Sequence, residues 1–334
     1  MARPTLKTTF RVLLLLTAAV ILYSSQALAQ YTLTSLVTTT QDPHLKNGWG
    51  MAYLPTGPFW ISDEATGLST VYDANGTIVP LVVTIPPAST GTGSPTGMVA
   101  NTTTGFVITQ NGKSAPAAFI FDTLDGTISG WASSVNNGSA VITVNNGGKA
   151  TYTGLAIGKA GTQTMLYAAN SATNKIEMYD STFTLKKTFT DPKLTGMTVY
   201  GVSFIKNFVV VTFQGASTGA VDVFTPTGTL LKGIPPTSIM KGPWGLALAP
   251  ANFGPLSNTL LVGNVDDGRI NGFSTTTGRL VGTMMDQSGT AISIPGLWAI
   301  EFGGGVTANG NTNQLFFAAG TNFYSTGEFG VINP

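Results

Sequence analysis

Apolar residues occur along this chain in short runs, most of which are bounded by Gly, Asn, Asp or Pro. Some runs are continuous, such as Phe208-Val209-Val210-Val211, which is typical of a strand buried on both faces. Others alternate with polar residues, such as Lys175-Ile176-Glu177-Met178-Tyr179, which is typical of a strand with two unlike faces. No run after residue 29 has the length or period of a helix. The pattern predicts an all-β protein made of many short strands.

One short phrase recurs six times and gives these strands an order. Its clearest copies are Trp49-Gly50-Met51-Ala52-Tyr53 and Trp244-Gly245-Leu246-Ala247-Leu248, and the second positions of all six are residues 50, 97, 154, 201, 245 and 299. A repeat near 50 residues built from short strands is typical of a β-propeller. We therefore predict a six-bladed β-propeller with four-stranded blades. The glycine of the phrase is expected to let inner strands approach one another closely.

Each repeat is predicted to contain the phrase as its inner strand, then a continuous apolar strand, then an alternating strand. The predicted second strands are residues 59–61, 106–108, 165–168, 208–211, 259–262 and 314–317, and the predicted third strands are residues 70–73, 118–122, 175–180, 220–224, 269–273 and 328–332. Turns such as Asn75-Gly76 and Asp125-Gly126 are expected to lead into the fourth strands, because both residues of such pairs accept positive φ.

The sixth repeat ends at Pro334 after its third strand, so its fourth strand must come from elsewhere. Residues 31–37 alternate and precede the first repeat. Pairing them with residues 328–332 would close the ring and cover two strand edges. We therefore predict one propeller domain over residues 30–334. The expected blades are residues 47–92, 93–148, 149–195, 196–240, 241–292, and 293–334 together with 31–37.

The first 29 residues are predicted to be a signal peptide. Arg3, Lys7 and Arg11 precede a short apolar run, and Ala27-Leu28-Ala29 forms a small-residue cleavage site. The apolar run is short for a membrane span. We expect a secreted protein, extracellular or periplasmic, with no stable membrane span after cleavage.

Charge and cysteine content exclude several classes of function. Without residues 1–29 the chain has 13 Lys and Arg against 15 Asp and Glu, a formal charge of −2, so nucleic-acid binding is not expected. Charged residues are 9% of the chain, well below the usual quarter. The chain has no cysteine, which excludes disulfides, thiol catalysis and thiolate metal sites.

Several longer motifs resemble those of an uncharacterised family of secreted bacterial six-bladed propellers, some of which carry a C-terminal sorting tail. The motifs are Asp42-Pro43-His44-Leu45-Lys46-Asn47-Gly48-Trp49-Gly50, Asp125-Gly126-Thr127-Ile128-Ser129-Gly130-Trp131, and Pro243-Trp244-Gly245-Leu246-Ala247-Leu248-Ala249-Pro250. The resemblance implies the fold and secretion but no activity. More distantly, the strand pattern is similar to NHL-type and calcium-dependent lactonase propellers.

The loops after the predicted second strands are rich in polar oxygen atoms, and in a propeller these loops gather at one mouth of the central channel. They contain Asp63, Gln110-Asn111, Asn170, Gln214, Asn264 and Asp266. Such a ring could hold Ca²⁺, which prefers oxygen ligands. Asp63, Asn170, Asn264 and Asp266 are the candidate metal or ligand contacts. The alternative, which we favour, is that they satisfy backbone groups at strand ends.

Two other groups of residues offer little chemistry. His44 is the only histidine, with Asp42 beside it, and the sequence gives no evidence that a serine converges with them as a catalytic triad requires. Trp49, Trp244 and Trp298 share one position in the repeat, which favours packing over a ligand-stacking role.

We therefore expect a non-catalytic binding or interaction module. Its partner would be an extracellular small molecule, glycan or protein, and we expect a monomer. No cofactor is certain, and Ca²⁺ is the one candidate. The alternative is a calcium-dependent hydrolase resembling the lactonases, with its site at the channel mouth. No catalytic residue is assigned.

Overall fold

A computed structural model describes residues 30–334 of the chain. These residues form six four-stranded antiparallel sheets, arranged as the blades of a ring. The protein is therefore an all-β six-bladed propeller, as its sequence predicts. The predicted signal peptide lies outside the described residues. Within residues 30–334, no helix is long and apolar enough to cross a membrane.

The strands are numbered along the chain, and the first of them, β1 (Thr32–Thr38), belongs to the last blade. Blade 1 contains β2 (Gly48–Tyr53), β3 (Phe59–Asp63), β4 (Leu68–Tyr72) and β5 (Val83–Thr84). Blade 2 contains β6 (Pro95–Ala100), β9 (Phe119–Thr123), β10 (Thr127–Trp131) and β11 (Val141–Asn145). A separate hairpin, β7 (Val107–Gln110) and β8 (Lys113–Pro116), is inserted between β6 and β9.

Blade 3 contains β12 (Tyr152–Ala160), β13 (Gln163–Asn170), β14 (Lys175–Tyr179) and β15 (Leu185–Phe189). Blade 4 contains β16 (Thr198–Ile205), β17 (Phe208–Gln214), β18 (Gly219–Phe224) and β19 (Leu230–Thr237). Blade 5 contains β20 (Pro243–Leu248), β21 (Thr259–Asn264), β22 (Ile270–Ser274) and β23 (Leu280–Thr283). Blade 6 contains β24 (Leu297–Phe302), β25 (Leu315–Gly320), β26 (Thr326–Asn333) and β1.

The strand assignment predicted for blade 2 is wrong by one strand. Residues 106–108, predicted as the second strand, lie at the inserted hairpin, and the second strand is β9, predicted as the third. The hairpin turns at Asn111-Gly112, where both residues have positive φ (51° and 77°). Asn-Gly is a strong hairpin signal. Gln110 and Asn111 therefore lie at the tip of this hairpin and do not belong to the loops that follow the second strands.

The N-terminal strand closes the ring as predicted. β1 pairs antiparallel with β26, with Leu33 opposite Ile332 and Val37 opposite Phe329. Val37 is buried, whereas Thr32 to Ser35 at the start of β1 are exposed. The last blade is therefore built from both ends of the described chain.

Each pair of neighbouring blades encloses its own apolar cluster. Six such clusters occur in the described residues, one at every junction around the ring. The glycines of the repeated phrase sit where the inner strands come together: a Cβ at Gly97 would lie 2.2 Å from the backbone nitrogen of Leu155 in the next blade. The expected role of these glycines is confirmed.

Candidate functional site

Four aromatic side chains meet across the channel at the end where the second strands run into their loops, which we call the upper end. They are Trp49 on β2, Tyr200 on β16, Trp244 on β20 and Trp298 on β24, and together we call them the aromatic plug. Trp49 and Trp298 stack with ring centroids 3.6 Å apart, and Trp244 meets both edge-on at 6.4 and 6.1 Å. Blades 1 and 5 are not neighbours, so the Trp49–Trp244 contact spans the channel.

Hydrogen bonds hold the aromatic plug in place. The Trp298 Nε1 donates to Asn47 Oδ1 at 2.8 Å, and the Trp244 Nε1 donates to the Thr153 carbonyl of blade 3 at 2.6 Å. Trp49 and Trp298 are buried. The interpretation as packing residues is thereby supported for Trp49 and Trp298, whereas Trp244 is partly exposed and also lines the cavity below. The plug occupies the upper end of the channel.

Below the plug, the inner strands surround a cavity of about 440 Å³. Its lining includes the same register position of all six inner strands, namely Ala52, Val99, Ala156, Ser203, Ala247 and Glu301. The next position includes Tyr53, Phe204 and Phe302, which are partly exposed. The cavity therefore opens at the lower end, where each first strand turns into the second strand of its blade. The loops in which the sequence predicts the site lie at the opposite, upper end.

Among residues 30–334, Glu301 is the only charged side chain that lines this cavity. Within residues 30–334 its carboxyl group has no ion-pair partner and accepts no hydrogen bond that meets normal geometry. The remaining lining is apolar apart from three groups: Tyr53 and Trp244, whose polar hydrogens are donated to backbone carbonyls, and Ser203. The cavity thus presents one uncompensated acidic group to whatever enters it.

Removal from water raises the pKa of Glu301 to about 8. An apolar environment disfavours the ionised form of a carboxyl group, and no nearby cation opposes this effect. The same carboxyl raises the pKa of Tyr53, for which burial is the larger cause. Near neutral pH, Glu301 is therefore mainly in its neutral form, and it ionises as the pH rises through about 8.

Asp63, the first of the sequence-predicted site residues, points into blade 1 rather than into the channel. It ends β3 and is fully buried. Burial, and secondarily the charge of Asp42, raise the pKa of its carboxyl well above the usual range. Asp42 in turn accepts hydrogen bonds from Tyr72 Oη at 2.9 Å and from His44.

Asn170 and Asn264 occupy the equivalent strand ends in blades 3 and 5, and each is bonded within its own blade or the adjoining loop. The Asn170 Nδ2 donates to Glu177 Oε1 at 2.7 Å, while its Oδ1 accepts from the backbone of Thr151. The Asn264 Nδ2 donates to the Ile239 carbonyl and to Asp267 Oδ1, at 2.8 and 3.0 Å. These bonds join the amides to groups at strand ends, although the Asn264 Oδ1 is buried without a hydrogen-bond partner among the described residues.

Asp266 is the candidate that lies nearest the aromatic plug. It is exposed in the loop after β21. Burial raises the pKa of both Tyr200 and Tyr324, and the charge of Asp266 adds to both shifts. Burial and then Asp267 raise the pKa of Asp266 itself, while Lys241 lowers it. Across the described part of the chain, no hydrogen bond joins any two of the four candidates.

The structure allows two further statements about metal and acid–base chemistry. Among residues 30–334, no three His, Cys, Asp or Glu side chains form a group that could hold a metal ion. His44 lies in the loop between β1 and β2, half exposed, with its Nδ1 at 2.9 Å from Asp42 Oδ1. The calcium site built on Asp63, Asn170, Asn264 and Asp266 stays a prediction.

Glu301 is the residue that sequence reasoning missed, although a signal was present. The six copies of the repeated phrase are aligned residue by residue, and only Trp298-Ala299-Ile300-Glu301-Phe302 carries a charge. The other five copies have a short, uncharged side chain at the position of Glu301. A charged residue there departs from the pattern by which the repeats pack.

No protein-family model matches the chain. It is 28% identical over 302 residues to uncharacterised protein R648 of Acanthamoeba polyphaga mimivirus, a match that covers 83% of this chain and 72% of the relative. This relative is viral, and the bacterial family expected from the sequence is not confirmed.

Solved structures of enzymes share the fold. Virginiamycin B lyase of Staphylococcus aureus aligns with a TM-score of 0.55 at 12% identity, over 91% of this chain and 100% of the lyase. A PQQ-bound aldose sugar dehydrogenase of Streptomyces coelicolor aligns with a TM-score of 0.55 at 13% identity, over 91% of this chain and 98% of that protein. Identities this low establish the propeller architecture and nothing about activity.

Proposed function

We propose that the protein is a binding module whose small-molecule ligand occupies the central cavity and enters it from the lower end. One observation carries the proposal: the channel is closed at one end by the aromatic plug and leaves a single-entrance cavity of about 440 Å³. Small-molecule sites are concave, mostly apolar cavities of roughly 300–1,000 Å³ with few polar groups. The cavity fits this description in volume, and its side chains are mostly apolar.

The secreted character of the chain is part of the same proposal. Its support is the composition of residues 1–29, with a basic start, an apolar run and a small-residue cleavage site. A secreted propeller would meet its ligand outside the cytoplasm.

A substitution that fills the cavity tests the proposal. Ser203 faces the cavity at its middle, so Ser203→Phe would occupy the ligand's volume. We expect tert-butylbenzene or phenyltrimethylammonium to bind the wild-type protein with one site and to change its tryptophan fluorescence, because Trp244 borders the cavity. The variant should bind at least about tenfold more weakly.

Thr188→Phe is the matched control, because Thr188 is exposed on the outer strand β15 of blade 3. It should bind both probes as the wild type does. Unchanged binding by a folded Ser203→Phe protein, or no binding of either probe to the wild type, would remove the cavity as the site.

The calcium-dependent hydrolase remains the second hypothesis, and no observation favours it over the binding module. A melting temperature that rises with millimolar Ca²⁺ and falls with chelator would support it, since a ligand of the folded state stabilises that state.

Histidine-based lyase chemistry of the kind suggested by the structural likeness is not proposed. A histidine-to-alanine variant of virginiamycin B lyase is described as catalytically inactive, whereas the one histidine here, His44, lies in a loop and does not line the cavity.

A further inference from the structure

The Glu301 carboxyl group has no partner in the part of the chain that the structure describes, which is unusual for a charged residue in apolar surroundings. The described ion pairs involve His44, Lys186 and Lys241, and none of them reaches the cavity. An unpaired buried carboxylate is destabilising. A cationic ligand that enters the cavity would supply the partner that the folded chain does not.

The propeller itself does not need a carboxyl group at this position. The five equivalent residues of the other inner strands are Ala52, Val99, Ala156, Ser203 and Ala247. Four of these are apolar and none is ionisable, and every blade packs with a short side chain there. Glu301 is thus an exception within a repeat that packs well without it.

The surroundings of Glu301 favour an organic cation over a metal ion. Calcium takes six to eight oxygen ligands, whereas Glu301 and Ser203 are the only cavity side chains with uncommitted oxygen atoms. Tyr53, Phe204 and Phe302 place aromatic rings at the cavity entrance. Aromatic faces attract ammonium groups, most strongly where water is excluded.

No positive charge competes for this position. Lys and Arg are absent from the lining of the cavity. An anionic ligand would therefore meet only Glu301 among the charged side chains, and Glu301 repels it. A cation with an apolar body matches both the charge and the walls.

We propose that the cavity selects an organic cation, whose ammonium group pairs with the Glu301 carboxylate while its apolar body lies against Tyr53, Phe204 and Phe302. This inference rests on the proposed function, because it names the class of ligand that the cavity binds. It makes Glu301 the residue that determines ligand charge.

Two probes of equal shape and different charge test the inference. Phenyltrimethylammonium carries a permanent positive charge, and tert-butylbenzene is its neutral counterpart, with carbon in place of nitrogen. We expect the wild-type protein at pH 9, where Glu301 is mostly ionised, to bind the cation at least about tenfold more tightly than the neutral probe. Calorimetry or tryptophan fluorescence gives both dissociation constants.

Variants of Glu301 separate charge from shape. Glu301→Gln removes the charge at nearly constant volume, and its preference for the cation should fall to about onefold while the neutral probe binds as before or more tightly. Glu301→Asp keeps the charge and should retain part of the preference. Glu328→Gln, on β26 and away from the cavity lining, is the matched control and should behave as the wild type.

The outcomes distinguish this inference from the proposed function. Equal binding of both probes to the wild type, or an unchanged preference in a folded Glu301→Gln protein, would overturn the cation inference and leave the cavity as a binding site. Absence of binding by either probe would overturn both. Melting curves of every variant show whether it is folded.

Discussion

At the scale of single residues, Glu301 differs from the other acidic groups because its carboxyl group lines the central cavity. Glu177, by comparison, accepts hydrogen bonds from Tyr152, Tyr179 and Asn170. A carboxyl group in such a network has its charge compensated by the fold. Glu301 faces an open cavity with no such network, so its ionisation depends on solvent and on ligand.

The pH dependence of stability tests the environment of Glu301. Its pKa is about 8 in the folded protein against an ordinary value of 4.5, so the unfolded chain ionises first and the group destabilises the fold increasingly as pH rises from about 4.5 to 8. The loss is at most about 5 kcal/mol. The free energy of unfolding of Glu301→Gln should equal that of the wild type at pH 5 and should be larger than that of the wild type at pH 8.5.

Chemical denaturation across this pH range provides the measurement. Asp122 and Asp222, whose pKa values are both raised to about 7, titrate in both proteins, so the difference between the two curves reports on Glu301. Tyr53, the other titratable group lining the cavity, has a raised pKa and stays neutral throughout. Parallel curves would show that Glu301 is solvated like a surface residue.

The sequence could not show which way the predicted site residues point. Asp63 follows the apolar run Phe59-Trp60-Ile61, and a run buried on both faces does not reveal which face its last residue takes. The pleat of β3 directs Asp63 into the blade, and the orientations of Asn170 and Asn264 are likewise set by local hydrogen bonds. For Glu301 the information was present in the repeat itself.

At the scale of strands and blades, close contact between inner strands depends on glycine. A Cβ at Gly97 would meet the backbone of blade 3, at 2.2 Å from the Leu155 nitrogen and 2.7 Å from the Gly154 carbonyl carbon. Backbone atoms cannot move aside as a flexible side chain can. The blades would have to separate, which disturbs the apolar cluster between blades 2 and 3.

We therefore expect Gly97→Ala to destabilise the protein by at least about 2 kcal/mol, as overpacked cores do. Gly138→Ala is the control, because a Cβ at Gly138 would meet nothing within 4 Å, and it should change stability by no more than about 0.5 kcal/mol. Urea denaturation of both variants provides the comparison. A wild-type-like Gly97→Ala protein would mean that the inner strands tolerate wider spacing.

The architecture of the blades was largely predictable, and the exception has a physical cause. The repeated phrase located every inner strand, and the alternation of residues 31–37 identified the strand that closes the ring. Blade 2 was misassigned because Val107 and Ile108 look like a core strand in sequence, whereas Val107 is 49% exposed on the inserted hairpin. A two-residue Asn-Gly turn was the discriminating signal.

At the scale of the whole molecule, the ring gives its two ends different roles. The upper end is filled by aromatic side chains from several blades, which contact one another across the axis. The lower end leaves the cavity open between the ends of the inner strands. The propeller therefore contains a central cavity that opens at the lower end, and Glu301 is the charged side chain in its lining.

The location of a bound probe tests this account most directly. A crystal of the protein with 4-bromophenyltrimethylammonium, measured at the bromine absorption edge, shows the probe as an anomalous peak. We expect one peak inside the central cavity, below the aromatic plug, with the ammonium group beside Glu301. An empty cavity, or a peak among the upper loops that carry Asp63, Asn170, Asn264 and Asp266, would contradict the account.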